Sequence, residues 1–246
     1  MIKRLLSQSW GLWLILVCWQ IWVMQADYNS IVIVSPLAVL RDMALSPTGY
    51  VEASLWTLSF ALGGLAAGLL SGLFLAIAVW RWEILSGVIS PAALLLSSTP
   101  VVCMIPLLAR IFGYRSQTEF VTVVIMTFFP SFVFASQGLR TLPPMASEFF
   151  STLSAARGKR LLYLALPAAL PSLAVALRVG AAYSVLVTMV SEYLMQTGGL
   201  GNLFALTSQA FQTERAWGAS FAAVALSVAL YTMAGSIERR VRHRFL

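Results

Sequence analysis

The sequence predicts an all-α integral membrane protein of about six transmembrane helices, and three observations carry that prediction. Hydrophobic residues make up 59% of the 246 and charged residues only 10%, against about 45–50% and 25% in soluble domains. So little charge cannot coat a soluble core, so the solvent must be lipid. The apolar residues also fall in runs separated by charges, several near the roughly 20 residues that cross a hydrocarbon layer. Finally, the stretch from Arg140 to Arg160 interrupts the pattern with charges, hydroxyls and a helical period. Residues 1–246 read as one membrane domain, and no extramembrane stretch is long enough for a soluble domain with its own core. An ATPase or a ligand-capturing domain is therefore expected on a separate chain.

The first run, Trp10–Met24, follows Lys3 and Arg4 in the manner of a signal peptide. Met24 is a poor cleavage residue and further spans follow, so the run is read as an uncleaved helix. The second, Leu55–Trp80, carries Gly64, Gly68 and Gly72 at a spacing of four, the small-residue pattern that lets helix backbones approach. That pattern suits packing within the chain or a dimer face. Ile84–Phe112 and Leu161–Val190 are longer than a bilayer needs and hold Pro91, Pro100 and Pro106, and Pro167 and Pro171. Each is expected to be broken or bent, which lipid tolerates where backbone lines a cavity. Phe120–Ala135 and Trp217–Ile237 complete the six.

Counting basic residues orients the chain. With the N-terminus inside, Lys3, Arg4, Arg81, Arg140, Arg157, Lys159, Arg160, Arg239, Arg240, Arg242 and Arg244 face the cytoplasm. Arg41, Arg110, Arg115 and Arg215 face out, and Arg178 lies within a span. The Arg140–Arg160 loop and both termini are thus expected in the cytoplasm, and the net charge of +7 needs no nucleic-acid partner.

Catalytic templates fail. The one histidine, His243, sits in a basic tail. Cys18 and Cys103 lie in apolar runs without metal spacing, and no zinc, nucleophile-elbow or phosphate-loop pattern occurs. The acidic residues lie mostly at span edges. Only Glu83 and Glu192 come near apolar segments, with no carboxylate pair for acid–base work. The chain is not expected to be an enzyme or to hold a metal.

In the interrupting loop, Pro143-Pro144 enforces an extended turn. Ser147 is placed to cap a short helix, with Glu148 in its first turn. Phe149, Phe150, Leu153 and Ala156 form an apolar stripe opposite Ser151, Thr152 and Arg157. Such a helix either lies at the lipid interface or docks into the groove of a soluble partner.

The loop and its sequel resemble the cytoplasmic signature of binding-protein-dependent ABC importer permeases: E-A-A, three residues, G, then leucine–proline about a dozen residues on. Leu166-Pro167 sets the register, which puts the glutamate on Glu148. Phe149 and Phe150 replace the alanines and Ser154 the glycine. Further stretches are similar to the nitrate/sulfonate/taurine branch: Val34–Leu40, Ser98–Leu108 with Phe112-Gly113, Phe128–Pro130, Ala169–Arg178 and Ser191–Leu203. Where that branch often has lysine after F-G, this chain has Glu119. The likeness runs from about Ser35 to Arg240.

The resemblance implies a type I ABC importer permease of the bacterial inner membrane. Two permease copies would form the path, and a cytoplasmic ABC ATPase dimer would dock on Glu148, Phe149, Phe150, Leu153, Ser154 and Arg157. An extracytoplasmic binding protein would deliver a small anion such as a sulfonate, taurine or nitrate, or a thiamine pyrimidine precursor. ATP and Mg would be hydrolysed by the partner, with no cofactor on this chain. Pro100, Pro106, Arg178 and Glu192 are candidates for the translocation path. Gly198, Gly199, Gly201 and Asn202, in an outer loop over Ser191–Arg215, suit either an outer gate and binding-protein contact or a turn with a short re-entrant helix. A secondary transporter predicts coupling carboxylates or inverted repeats. A vitamin-capturing subunit of an energy-coupling-factor importer lacks an ordered loop helix of this type.

Overall fold

Apolar runs in lipid must satisfy their backbone internally, and helices do so. The computed structural model describes residues 10–25, 33–142, 144–153 and 156–245. Among these the elements are α1 (Trp10–Gln25), α2 (Pro36–Leu45), α3 (Pro47–Arg81), α4 (Glu83–Ser98), α5 (Val101–Phe112), α6 (Ser116–Arg140) and α7 (Pro144–Thr152). There follow α8 (Arg157–Met195, with a π-helical stretch at Leu161–Ala165), α9 (Gly199–Gln209) and α10 (Thr213–Phe245).

Four of these, α3, α6, α8 and α10, are long and apolar enough to cross a membrane. All four overrun the ends expected from hydropathy. The 35 residues of α3 reach about 52 Å at 1.5 Å per residue, well beyond a hydrocarbon core of about 30 Å. Hydropathy reads only the part inside lipid.

The expected break in the third run is present. Thr99 and Pro100 separate α4 from α5, with Pro100 as the N-cap of α5. Alone, α4 and α5 reach only about 24 and 18 Å. The fifth run is continuous instead. Pro167 lacks the N–H that would extend the α-ladder, and just before it Leu166 N–H reaches back five residues to Leu161 O. The chain absorbs the missing donor as a π-turn.

One short helix had no counterpart in the hydropathy reading. α2 starts where Ser35 Oγ accepts from Ala38 N–H at 3.2 Å and Pro36 takes the first helical position, a start signal legible in S-P. Pro47 then opens α3. α2 rests on α10, with Arg215 of α10 lying 3.9 Å from the Asp42 carboxylate, and Tyr50 Oη of α3 donates to the same carboxylate at 2.5 Å.

The core is the α3–α6–α8–α10 bundle, with α6 packed between α3 and α8. The glycine stripe of α3 faces α6 within the chain. A Cβ at Gly64 would collide with Val123, one at Gly68 with Thr127, and one at Gly72 with Ser131. Thr127 Oγ1 lies 3.1 Å from Gly64 O and 2.8 Å from Val123 O, a contact only close backbones allow. Toward the α7 end the interior is built from Ala76, Val79, Phe132, Ala135, Leu139, Ala165 and Ala169. Large apolar side chains such as Phe74, Ile84 and Val88 point outward, as lipid permits.

Candidate functional site

At the basic end of the bundle, α7 stands between α6 and α8. Pro144 is its first residue, so Ser147 lies inside the helix and does not cap it, three residues later than the true start. The physical reason is that proline's fixed φ already suits the first helical position. Thr152 Oγ1 bonds Glu148 O at 3.0 Å and Leu153 N–H bonds Phe149 O at 3.1 Å. The apolar stripe is displaced from the expected one. Met145, Phe149 and Leu153 recur every four residues and are 84%, 61% and 60% exposed, whereas Phe150 is half-buried. Ala156 leaves the stripe because α7 ends at Thr152, making Ala156 the N-cap of α8. Glu148 and Arg157 are exposed, and Ser154 lies outside the described residues. From Arg157 one helical rod runs to Met195, so the basic turn Arg157–Arg160 is continuous with the bundle.

Mid-bundle, Arg178 does not stand alone. Its Nη1 lies 3.0 Å from Glu238 Oε2 of α10, and its guanidinium sits 4.2 Å over the Tyr231 ring. Gly235 leaves room for it. Arg242 approaches the other oxygen of Glu238 at 3.7 Å. Pairing makes a charge at this depth tolerable.

At the far end, α8 runs on to Met195, so Ser191–Met195 is helix where an outer loop was expected. Gln196 in the left-handed region ends it. Gly198 and Gly199 lead into α9, and Gly199 has φ +74° with the Glu192 carboxylate where a Cβ would stand. Only glycine satisfies both demands. A helix start leaves four N–H groups without partners. Here tertiary contacts satisfy two of them: Leu200 N–H donates to Thr57 Oγ1 at 2.9 Å, and Thr57 Oγ1 donates to Glu192 Oε2 at 2.9 Å. Gly201 N–H donates to the same oxygen at 2.8 Å. Glu192 is 0% exposed, a carboxylate from α8 capping α9 with the sign its dipole favours.

Glu119 was missed at the sequence level, where the acidic residues were placed at span edges. It too is 0% exposed, accepts from Thr197 Oγ1 at 2.8 Å and comes within hydrogen-bonding reach of Glu192. The signal was its departure from lysine after F-G. Glu119 Oε1 and Glu192 Oε1 are buried without a donor, and among the described residues no cation pairs with either. Beside this network, Glu52, Trp56, Gly198, Asn202 and Leu206 line a cleft of about 250 Å³. Of the proposed path residues, Pro100 and Pro106 are exposed on the broken α4–α5 unit, whose Ile105 and Ala109 pack against Met195 at the Glu192 end of α8. Among the described residues no group of three or more metal-ligating side chains forms.

A rigid rod thus joins an exposed apolar loop at one end to a latched short helix at the other. These are features of a multi-pass membrane protein. The chain belongs to the family of binding-protein-dependent transport system inner membrane components, whose model matches residues 64–244. It is a non-catalytic permease subunit of an ABC importer. It is 27% identical to a probable ABC transporter permease of Haemophilus influenzae over 93% of both chains. Identity is 29% with the riboflavin transport system permease RibX of Chloroflexus aurantiacus, over 93% of this chain and 86% of that one. The formylaminopyrimidine transport permease ThiX of Halalkalibacterium halodurans is 28% identical over 66% and 65%. The inward-facing MetNI methionine ABC transporter shares the fold, with a TM-score of 0.61 and 19% identity over 82% of this chain and 98% of that one.

Proposed function

We propose that two copies of this permease form the path, and that a cytoplasmic ATPase dimer engages each through α7. The observation that carries the reading is the exposed Met145–Phe149–Leu153 edge. Three large apolar side chains project from a short helix at the most basic end of the molecule, where a groove-bearing partner can bury them. Both termini and α7 lie in the cytoplasm by the positive-inside count, and a soluble binding protein delivers substrate to the α9 end. ATP and Mg belong to the ATPase. Closure of the ATPases moves α7, and the α8 rod carries the displacement toward the broken α4–α5 unit and the α9 latch.

The substrate we favour is a small polar nitrogen heterocycle of the pyrimidine-precursor class. Riboflavin and formylaminopyrimidine permeases are among the relatives, and the cation of the spans, Arg178, is already paired with Glu238. A small anion such as a sulfonate, taurine or nitrate is the second reading. It is favoured by the one-third of the Arg178 side chain that stays accessible.

Tagged protein in mild detergent should capture an ATPase in about equal amount, and scrambling 148–154 should abolish capture while the protein still elutes as a single species. Purification free of any ATPase would mark a stand-alone transporter and make α7 an interfacial helix. Glu148→Pro is expected to keep ATP hydrolysis and lose uptake.

A further inference from the structure

At the root of the loop, where α3 and α6 end and α8 begins, four arginines line one cleft of about 380 Å³ with Val79, Trp80 and Ser86: Arg81, Arg140, Arg157 and Arg160. They come from separate elements. Arg81 and Arg140 are the last residues of α3 and α6, and Arg157 and Arg160 form the first turn of α8. Cations are stabilised at helix C-termini, which suits the first two, while the start of α8 presents the positive end of its dipole. Arg140 Nη2 is held 3.2 Å from Ser86 Oγ. Among the described residues, Arg81, Arg140 and Arg157 meet no carboxylate. Arg81, Arg140 and Arg157 are exposed, so their mutual repulsion is modest in water, and an anion shared between them would relieve it.

We propose that this cleft binds a phosphate group, carried by an acidic phospholipid or free in solution. Guanidinium forks match phosphate oxygens bidentately, and the Ser86 hydroxyl adds a neutral donor. The floor of Val79 and Trp80 is apolar, and the neighbouring Trp82, Ile84 and Val88 are exposed apolar side chains. A phosphate with an attached glycerol and acyl chains would therefore continue directly onto the lipid-facing surface of α4. The site lies against the loop but does not depend on what α7 docks.

The test uses the full chain in neutral detergent, with thermal stability read against two probes. One is dioleoylphosphatidylglycerol compared with dioleoylphosphatidylcholine, and the other is sodium phosphate compared with sodium chloride at equal ionic strength. Saturable stabilisation by phosphatidylglycerol but not by inorganic phosphate assigns the site to lipid. The reverse assigns it to a soluble phosphate. In either case R81Q/R140Q should shift half-saturation by about tenfold or more, while R240Q/R244Q, which removes the same charge from the exposed tail, should leave it in place. Should the double variant fail to fold, R140K keeps the charge and loses the fork, and it should still weaken binding. Equal weakening by the tail variant would reduce the effect to diffuse charge and overturn the site. So would silence toward both probes, including the case where R81Q/R140Q loses only its ATPase, which would make the cleft part of the docking surface.

Discussion

Replacing Glu192 by alanine tests whether the far-end helix is held by a cap borrowed from α8. The substitution removes the acceptor of both Gly201 N–H and Thr57 Oγ1–H. Thr57 has an alternative, since Ala53 O lies 3.1 Å from its oxygen, and it can go on accepting from Leu200 N–H. The cost therefore falls on Gly201, a buried residue whose N–H is left unpaired at about 1–3 kcal/mol. At about 2–4 °C per kcal/mol for a chain of this size, the melting temperature should fall by roughly 2–12 °C. Glu192→Gln keeps the accepting oxygen and should stay within about 1 kcal/mol of the parent. Thermal unfolding of both variants in one detergent, with uptake in vesicles alongside, makes the comparison. If glutamine is as damaging as alanine, the accepting oxygen alone does not hold α9 and the negative charge carries the cap. An unaffected alanine variant would mean that α9 is held by something other than this carboxylate.

Glu119→Gln should be tolerated or mildly stabilising, because its amide offers a donor where Glu119 Oε1 and Glu192 Oε1 have none; melting that drops as far as in Glu119→Ala would contradict this. Gly68→Leu should cost at least about 1–3 kcal/mol by overpacking against Thr127 and Phe128, seen as lost monodisperse protein on size exclusion. Arg178→Gln should lower stability, and adding Glu238→Gln should recover part of it. Unchanged uptake by a folded Arg178→Gln would exclude that residue from substrate handling. Phe149→Asp should reduce ATPase capture at least tenfold with stability changed by less than about 0.5 kcal/mol; an unfolded variant would show that Phe149 is structural.

The membrane class, the broken third run and the loop helix were all legible, because each rests on a local signal: hydropathy, proline and period. The α2 start was equally local in Ser35-Pro36 but was obscured by the search for membrane-length runs. What sequence could not supply was pairing across long separations. Arg178 with Glu238, and Thr57 with Glu192 and Leu200, join residues 60 and more than 130 positions apart. Glu119 was hidden for the same reason. In a linear reading it sits at the edge of a run, and only the approach of α8 and the turn after it encloses it. The glycine stripe permitted two readings until α6 was seen to occupy it.

The π-turn at Leu161–Ala165 amounts to one residue more than a straight α-helix would need between the loop and Pro167. Removing one residue there would let the ladder close as an ordinary α-helix without shortening any packed segment downstream. Because the π-turn takes up that extra residue within a single turn, the helix on either side keeps nearly the bearing that an uninterrupted α-helix would give it. The stretch thus holds one residue of slack between the basic first turn of α8 and the packed part of the same rod.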